Sequence, residues 1–375
     1  MGLDSAGSLN AHRPAGEPAG ASSDAPNTCE GLVSEFPPSG DCPNGVARAK
    51  GHAPPKLTYV TTWIDRRWAG QHGIGRYASE VCSRLTMETQ DLPVSGSTSP
   101  GPATFASVPE GLIYSPGYNA LARAERELVT VHDLIHLKTA WPGRAKYLAF
   151  YNLVAKPVIR RTGAVITVSE TSKREIEDWI RDPKVEVVNA GLGASAAFHP
   201  GVELVVPDKP YLLYVGNMRE HKNLRTAIQA LQHVPDAEMR LLIPAAEHAD
   251  AHAVATAYGV ASQLTFLDPL DDDALAIQYR GAAATVIPST LEGFGLPPLE
   301  SIMTGTPVIY WSGCSAVAET AEGRGWAING SHDVEEWGSA FAEALSSPTR
   351  VDAPVGRYDW DVTARTVDDV LKRLA

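Results

Sequence analysis

Between Ala284 and Tyr310 the chain runs through an apolar stretch, a glycine-punctuated loop, a helix start and a second apolar stretch in quick succession. Ala284–Pro288 reads as a buried strand and Pro307–Tyr310 as another, and Pro297 opens the helix between them. The loop carries Glu292-Gly293-Phe294-Gly295, and the helix carries Glu300, so two carboxylates flank a Gly-Phe-Gly turn at a strand-to-helix junction. Glycine there lets backbone N–H groups approach a ligand closely, and a helix N-terminus favours an anion. Each carboxylate can accept hydrogen bonds from neighbouring hydroxyls, as a sugar or a ribose presents them. A sugar joined to a phosphate fits both demands; a polar loop capping an ordinary α/β junction is the plainer alternative.

The same alternation recurs along most of the chain. Leu57–Ile64, Gly111–Ser115, Leu128–Val131, Ala164–Val168 and Val185–Val188 read as strands in the first half, with helical spacing at Ile74, Tyr77, Ala78, Val81, Cys82 and Leu85. Ala145–Arg161 reads as a helix kinked near Pro157, and Ser169 as the cap of the helix that follows. Tyr211–Val215, Leu241–Pro244 and Leu264–Leu267 continue the pattern in the second half. Alternating β and α units predict parallel sheets with helices on both faces, and two such sheets in tandem place a ligand cleft at the carboxyl ends of their strands.

The expected organisation is an arm at 1–55, a first Rossmann-like domain at 56–204, a second at 205–360, and a terminal helix at 361–375. The arm is rich in Gly, Ala, Pro, Ser and Asn and reads as disordered. Leu92–Ala103 reads as loop, which leaves one or two strands of the first domain unaccounted for.

Bulk properties exclude some classes. A formal charge of −12 over 375 residues argues against a general nucleic-acid binder. No apolar run is long enough to span a bilayer, and no signal peptide is read at the start, so a soluble, cytoplasmic protein is expected. Arg144–Lys184 is locally basic, which leaves open a peripheral contact with anionic headgroups or simply a solvated helix face. The four cysteines, Cys29, Cys42, Cys82 and Cys314, have no metal-ligand spacing; Cys82 falls on an apolar helix face, and a Cys29–Cys42 disulfide is open but unsupported.

Three further segments carry chemistry. Gly73-Ile-Gly75-Arg-Tyr-Ala78 matches a dinucleotide-binding pattern, yet eight residues separate Ile64 from Gly73, where that motif needs its first glycine directly after the strand. His132-Asp133 ends a strand, where histidine can donate to a sugar hydroxyl or a phosphate oxygen. Gly216-Asn-Met-Arg219-Glu-His-Lys222-Asn223 sets a cation between a strand and a helix, suited to a diphosphate leaving group, although a solvated lysine at a helix start is the alternative. Asp271-Asp272-Asp273 contains D-x-D but opens a helix, so a helix start is the preferred reading and no essential metal or cofactor is expected. Asp359-Trp-Asp361 is read in the same way.

The phrase from Pro288 to Ile309, with the segments around Gly75, His132 and Lys222, resembles the family 4 retaining glycosyltransferases of the GT-B fold, nearest their bacterial mannosyltransferase-like branch. The resemblance implies that Glu292 and the Gly293, Phe294, Gly295 and Leu296 stretch meet the donor sugar, and that Glu300 meets the nucleotide ribose. It implies that Lys222, with Arg219, stabilises the departing diphosphate, that Gly75 and Gly216 shape the phosphate side, and that His132 contacts the donor sugar. Family members carry an arginine next to this glycine or this lysine; here Asn217 and His221 stand there. The implied activity is hexose transfer, most readily mannose from GDP-mannose with UDP-sugars open, to a glycan or lipid-linked saccharide in polysaccharide or O-antigen-type synthesis. A catalytically silent GT-B protein that binds nucleotide sugar, and a GT-B sugar-nucleotide epimerase, are the alternatives.

Overall fold

The computed structural model describes residues 61–68, 73–201, 207 and 209–375. The expected arm, Cys29, Cys42 and the first residues of the strand read at Leu57–Ile64 lie outside them, as does part of the expected boundary between the two domains.

The first lobe is a parallel sheet. Strands β1 (Thr62–Ile64), β2 (Thr89–Asp91), β3 (Leu112–Ser115) and β4 (Arg126–Val129) pair in the order β2-β1-β3-β4. Strands β5 (Ala164–Thr167) and β6 (Glu186–Asn189) pair beside them, joined to β4's end through a bridge from Thr130 to Ile166. Helices α1 (Gly73–Cys82), α2 (Ile135–Lys138), α3 (Arg144–Phe150), α4 (Lys156–Thr162) and α5 (Glu170–Ile180) lie between the strands in sequence. An edge strand, β2, stands between α1 and the stretch read as loop at Leu92–Ala103, and supplies a strand the sequence left unaccounted for. Its Thr-Gln-Asp sequence has no apolar signal, because β2 contributes backbone pairing and only exposed or half-buried side chains.

The second lobe is a six-stranded parallel sheet, ordered β12-β11-β10-β7-β8-β9. Its chain order is β7 (Tyr211–Val215), α6 (Leu224–Ala230), β8 (Glu238–Leu242), α7 (His248–Ala257), β9 (Leu264–Phe266), α8 (Asp272–Gly281), β10 (Ala284–Ile287), α9 (Leu296–Met303), β11 (Val308–Trp311), α10 (Ser315–Ala321), β12 (Gly325–Ile328) and α11 (Val334–Ser346). The central strands β7 and β10 are buried nearly throughout, as a sheet covered on both faces requires. Strand β8 starts earlier than its apolar residues suggest. Glu238 and Arg240 alternate with buried Met239 and Leu241, and Arg240 lies 3.7 Å over the Tyr211 ring.

Caps fix the helix starts. The side chains of Ser169, Asp271, Asp333 and Asp359 accept from Ser172, Ala274, Glu336 and Asp361 backbone N–H groups at the heads of α5, α8, α11 and a last helix, α12 (Trp360–Leu374). The D-x-D at 271–273 is thus partly a helix cap. The helix interruption is not centred on Pro157 itself. A wide turn at Tyr151–Ala155, closed by Lys156 N–H on the Tyr151 carbonyl, precedes α4, and it absorbs the proline ring and the missing N–H.

Helix α12 returns to the first lobe. Val367, Val370 and Leu371 are buried in a core shared with Tyr77 and Val81 of α1, each fully buried apolar side chain contributing roughly 1.5–3 kcal/mol. Asp368, buried, accepts from the Thr86 and Met87 backbone N–H groups at 3.2 and 3.3 Å and pairs with Lys372 at 2.6 Å. These donors hold its carboxyl below the usual range despite burial. The same core runs across both lobes, including Ile64 and Leu128 on one side and Phe294, Leu299 and Val308 on the other. Among the described residues no helix is long and apolar enough to cross a membrane.

Candidate active site

Parallel sheets bind ligands where strand order reverses. From β7 the chain proceeds outward through β8 and β9, then returns to β10 on the other side and proceeds through β11 and β12. The crevice therefore opens beyond the carboxyl ends of β7 and β10, which are neighbours in register. The Gly216–Lys222 segment leaves one strand and the 288–295 loop leaves the other.

These two loops are tied together. The Thr290 N–H donates to the His221 carbonyl at 2.7 Å, and its hydroxyl to the same oxygen at 3.2 Å. Lys222 Nζ then reaches Glu292 Oε1 at 2.6 Å, with side chains 20% and 11% exposed. An ammonium has three N–H donors and a carboxylate two oxygens, so the pair keeps capacity for further partners. Asn223, at φ +52°, turns the chain from Lys222 into α6, and its amide donates to the Ser331 carbonyl at 2.8 Å. Gly216 is confined by its neighbour: a Cβ there would sit 2.8 Å from the Tyr214 hydroxyl, which donates to the Asn217 carbonyl. Arg219 is exposed and near enough to His136 and His221 to disfavour their protonated forms; burial is the larger cause in both, and Lys222 adds to it at His221.

The glycine turn is pressed against the first lobe. The Gly293 carbonyl accepts from the Ser169 and Ser172 hydroxyls at 2.6 and 2.9 Å, and a Cβ on Gly293 would meet Asp133 Cβ at 2.7 Å and the His132 carbonyl at 2.8 Å. Gly295 has φ +93°, a conformation that favours glycine, and releases the chain into α9. Phe294 turns inward, with its ring 5.7 Å from Tyr358 edge-on, so only its backbone is available to a ligand. Leu296 packs on the shared core, close to Gly73.

His132 is buried. Its Nε2 lies 2.9 Å from the Pro116 carbonyl, and its ring stands edge-on to Tyr77 at 4.8 Å. Asp133 accepts from the Tyr118 hydroxyl at 2.5 Å and from the Ile135 N–H at 2.9 Å, so it organises the loop leading to α2. Gly75 is buried within α1.

Glu300 has a different setting. It is 5% exposed on α9, its Oε2 accepts from the Tyr279 hydroxyl at 3.0 Å, and its Oε1 receives Arg76 Nη1 at 3.3 Å from the other lobe. Arg76 also pairs with Asp272 and lies 6.0 Å from the Phe198 ring centroid. Burial pushes the Glu300 carboxyl up to about 7, while Tyr279 and Arg76 act to lower it. Arg76 was not singled out from the sequence, although it sits inside the glycine-rich segment; its spacing to Glu300 is set only by the lobes' contact. Glu319 was missed for the same reason. From α10 its carboxylate accepts from the Glu170 and Thr171 N–H groups at 2.8 and 2.9 Å, capping α5 across the lobes.

The structure thus joins Lys222 to Glu292, and the Gly293 turn to His132-Asp133, while Glu300 faces Arg76 and Tyr279. Among the described residues no His, Cys, Asp and Glu cluster could hold a metal. In the basic 144–184 stretch, Arg144, Lys156 and Arg160 donate to the carbonyls of Leu137, Trp179 and Ile180, an intramolecular use for those cations. Cys82 and Cys314 are buried thiols, each pushed up to about 12 by burial.

Residues 197–355 match the family model described as glycosyl transferases group 1. The chain is 30% identical over 221 residues to D-inositol 3-phosphate glycosyltransferase 2 of Catenulispora acidiphila, covering 51% of each protein. It is 27% identical over 227 residues to the D-inositol 3-phosphate glycosyltransferase of Rhodococcus opacus, covering 53% of this chain and 50% of that one. The chain therefore spans about half the length of these curated relatives, which are named for inositol 3-phosphate rather than for mannose. Among solved structures it resembles sucrose-phosphate synthase from Thermosynechococcus elongatus, with a TM-score of 0.65, 17% identity, and coverage of 84% of this chain and 99% of that one. It also resembles WaaG, a glycosyltransferase involved in lipopolysaccharide biosynthesis, with a TM-score of 0.58, 14% identity, and coverage of 83% and 95%. At such identities the likeness is one of fold, and the fold is GT-B: two parallel-sheet, Rossmann-like lobes.

Proposed function

We propose that the chain is a retaining hexosyltransferase that takes its sugar from a nucleotide donor held mainly by the second lobe. The observation that carries this reading is the Lys222–Glu292 pair at the switch point of the second sheet, 2.6 Å apart and largely shielded from water. A cation and a carboxylate side by side meet the two ends of a sugar diphosphate: N–H donors for the phosphate oxygens, acceptors for the sugar hydroxyls. The backbone of Gly293–Gly295 lies alongside the sugar, and Glu300 accepts from the ribose. Gly75 and Gly216 border the phosphate side, and His132 stands behind the sugar.

In the reaction the bond from the anomeric carbon to the phosphate oxygen breaks, and a bond from that carbon to the acceptor oxygen forms on the same face. The acceptor's proton passes to the departing phosphate oxygen, so no protein nucleophile is required. Lys222, with Arg219 at the rim, offsets the charge that accumulates on the diphosphate. A charge-assisted contact of this kind contributes roughly 1.5–3 kcal/mol.

GDP-mannose is the first donor to assay, with UDP-sugars beside it, and the acceptor panel pairs glycans and lipid-linked saccharides with the inositol 3-phosphate named for the relatives. Titration calorimetry with GDP and UDP, followed by assays of nucleoside diphosphate release with acceptor, tests the reading. Saturable binding with acceptor-dependent release supports it. Binding without turnover on any acceptor indicates a silent binding protein, and binding of neither nucleotide removes the proposal.

A further inference from the structure

Among the described residues Arg76 is the one cation contacting Glu300, and it comes from the opposite lobe. A buried carboxylate is costly to keep ionised unless a charge or donor faces it. Among the described residues three titratable groups face Glu300: Tyr279 and Asp272, both on α8, and Arg76 on α1. Tyr279 donates to one carboxylate oxygen and Arg76 to the other, which fixes the plane of the group. Each oxygen keeps a second lone pair, the number needed for two vicinal hydroxyls. Arg76 is itself held by Asp272 and packed near Phe198, with its side chain 24% exposed, so its guanidinium is fixed beside Glu300.

We infer that Arg76 is a positioning residue for the nucleotide: from the first lobe it holds Glu300 as an oriented, ionised acceptor for a ribose diol, so this half of the donor site is complete only while the lobes are in contact. The inference rests on the donor reading proposed above. Nucleotide binding then requires the ionised form of Glu300 and strengthens as pH rises through its midpoint. Arg76 lowers that midpoint and Asp272 raises it, so removing one or the other shifts binding in opposite directions.

The test is titration calorimetry of the full chain with UDP and GDP between about pH 6 and about pH 8.5, a window spanning the Glu300 transition. Arg76→Met is expected to weaken binding on the order of tenfold at pH 7 and to move the midpoint upward. Arg76→Lys is expected to retain most of the affinity. Asp272→Asn is expected to move the midpoint downward, and Glu300→Gln to flatten the profile. Should Arg76→Met fail to fold, Asp272→Asn still decides, because Asp271 rather than Asp272 supplies the cap of α8. A wild type that binds nucleotide, with either folded variant leaving the midpoint in place, overturns the role of Arg76 alone. A wild type that binds neither nucleotide overturns the donor reading and this inference with it.

Discussion

Glu292 and Glu300 lie in one short segment, yet their environments diverge. Glu292 sits in a loop and is paired by Lys222 from the loop that follows the adjacent strand of its own lobe; Glu300 sits in a helix, is nearly inaccessible, and is paired by Arg76 from the other lobe. The first pair is local to one sheet and exists wherever that sheet folds. The second depends on how two halves of the chain meet. On the proposed function, contact within one lobe would secure the sugar-phosphate end of the crevice, and contact between the lobes the ribose end.

The comparison is broken most directly at its strong side. Lys222→Ala or Glu292→Ala is expected to lower turnover about a hundredfold or more, measured as acceptor-dependent release of nucleoside diphosphate. The double variant should lose far less than the two losses multiplied, because either change alone leaves its partner unpaired. Wild-type turnover in both single variants would remove the pair from the mechanism. Glu300→Gln comes next: nucleotide affinity should fall roughly tenfold at neutral pH, while turnover at saturating donor stays within a few-fold. A loss confined to turnover would mean that the two carboxylates do not divide the work between sugar and ribose.

Weaker effects sharpen the contrast. Glu319→Ala removes the carboxylate that caps α5 from the other lobe and should cost about 1 kcal/mol, read by denaturant titration. It should weaken nucleotide binding through Glu300 more than it alters the Lys222–Glu292 end. Stability against pH offers a control at Glu127, which accepts from the Ser115 hydroxyl and the Leu121 N–H in the first lobe. Burial pushes Glu127 up to about 8. Its stabilising contribution is therefore complete below the ordinary carboxyl range, near pH 4.5, and is lost as pH rises through about 8. Glu127→Gln should flatten that part of the stability curve without moving the pH profile of nucleotide binding. The smallest change belongs to Arg219→Ala: an exposed cation at the rim should alter turnover only about two- to threefold.

Much of this was legible in the sequence, for identifiable reasons. Apolar runs such as Tyr211–Val215 and Ala284–Ile287 are strands buried on both faces, so hydrophobicity alone locates them. The polar edge strand Thr89–Asp91 has no such signal, since its stability comes from pairing with β1. The turn at Tyr151–Ala155 was traceable only to the nearby Pro157, because the proline reveals that a backbone bond is lost but not which turn absorbs the loss. In the candidate site, Glu292 and Lys222 stand out as charged residues in glycine-containing loops after strands, and Glu300 as a carboxylate on the helix that one of those loops enters. Arg76 and Glu319 do not, because their partners are more than a hundred residues away in sequence. His132 was legible by its position at a strand end, but its ring neighbours Tyr77, Tyr118 and the Pro116 carbonyl were not, since they come from other parts of the first lobe.

The grip of two serines on the Gly293 carbonyl has a kinetic consequence. On the proposed function, the loop beside the transferred sugar is also a rivet between the halves, and a spent nucleotide leaving past residues 292–295 would have to prise it loose. Product escape and separation of the halves would then be a single event, and raising solvent viscosity should slow steady-state turnover while leaving the first, pre-steady-state transfer unaffected.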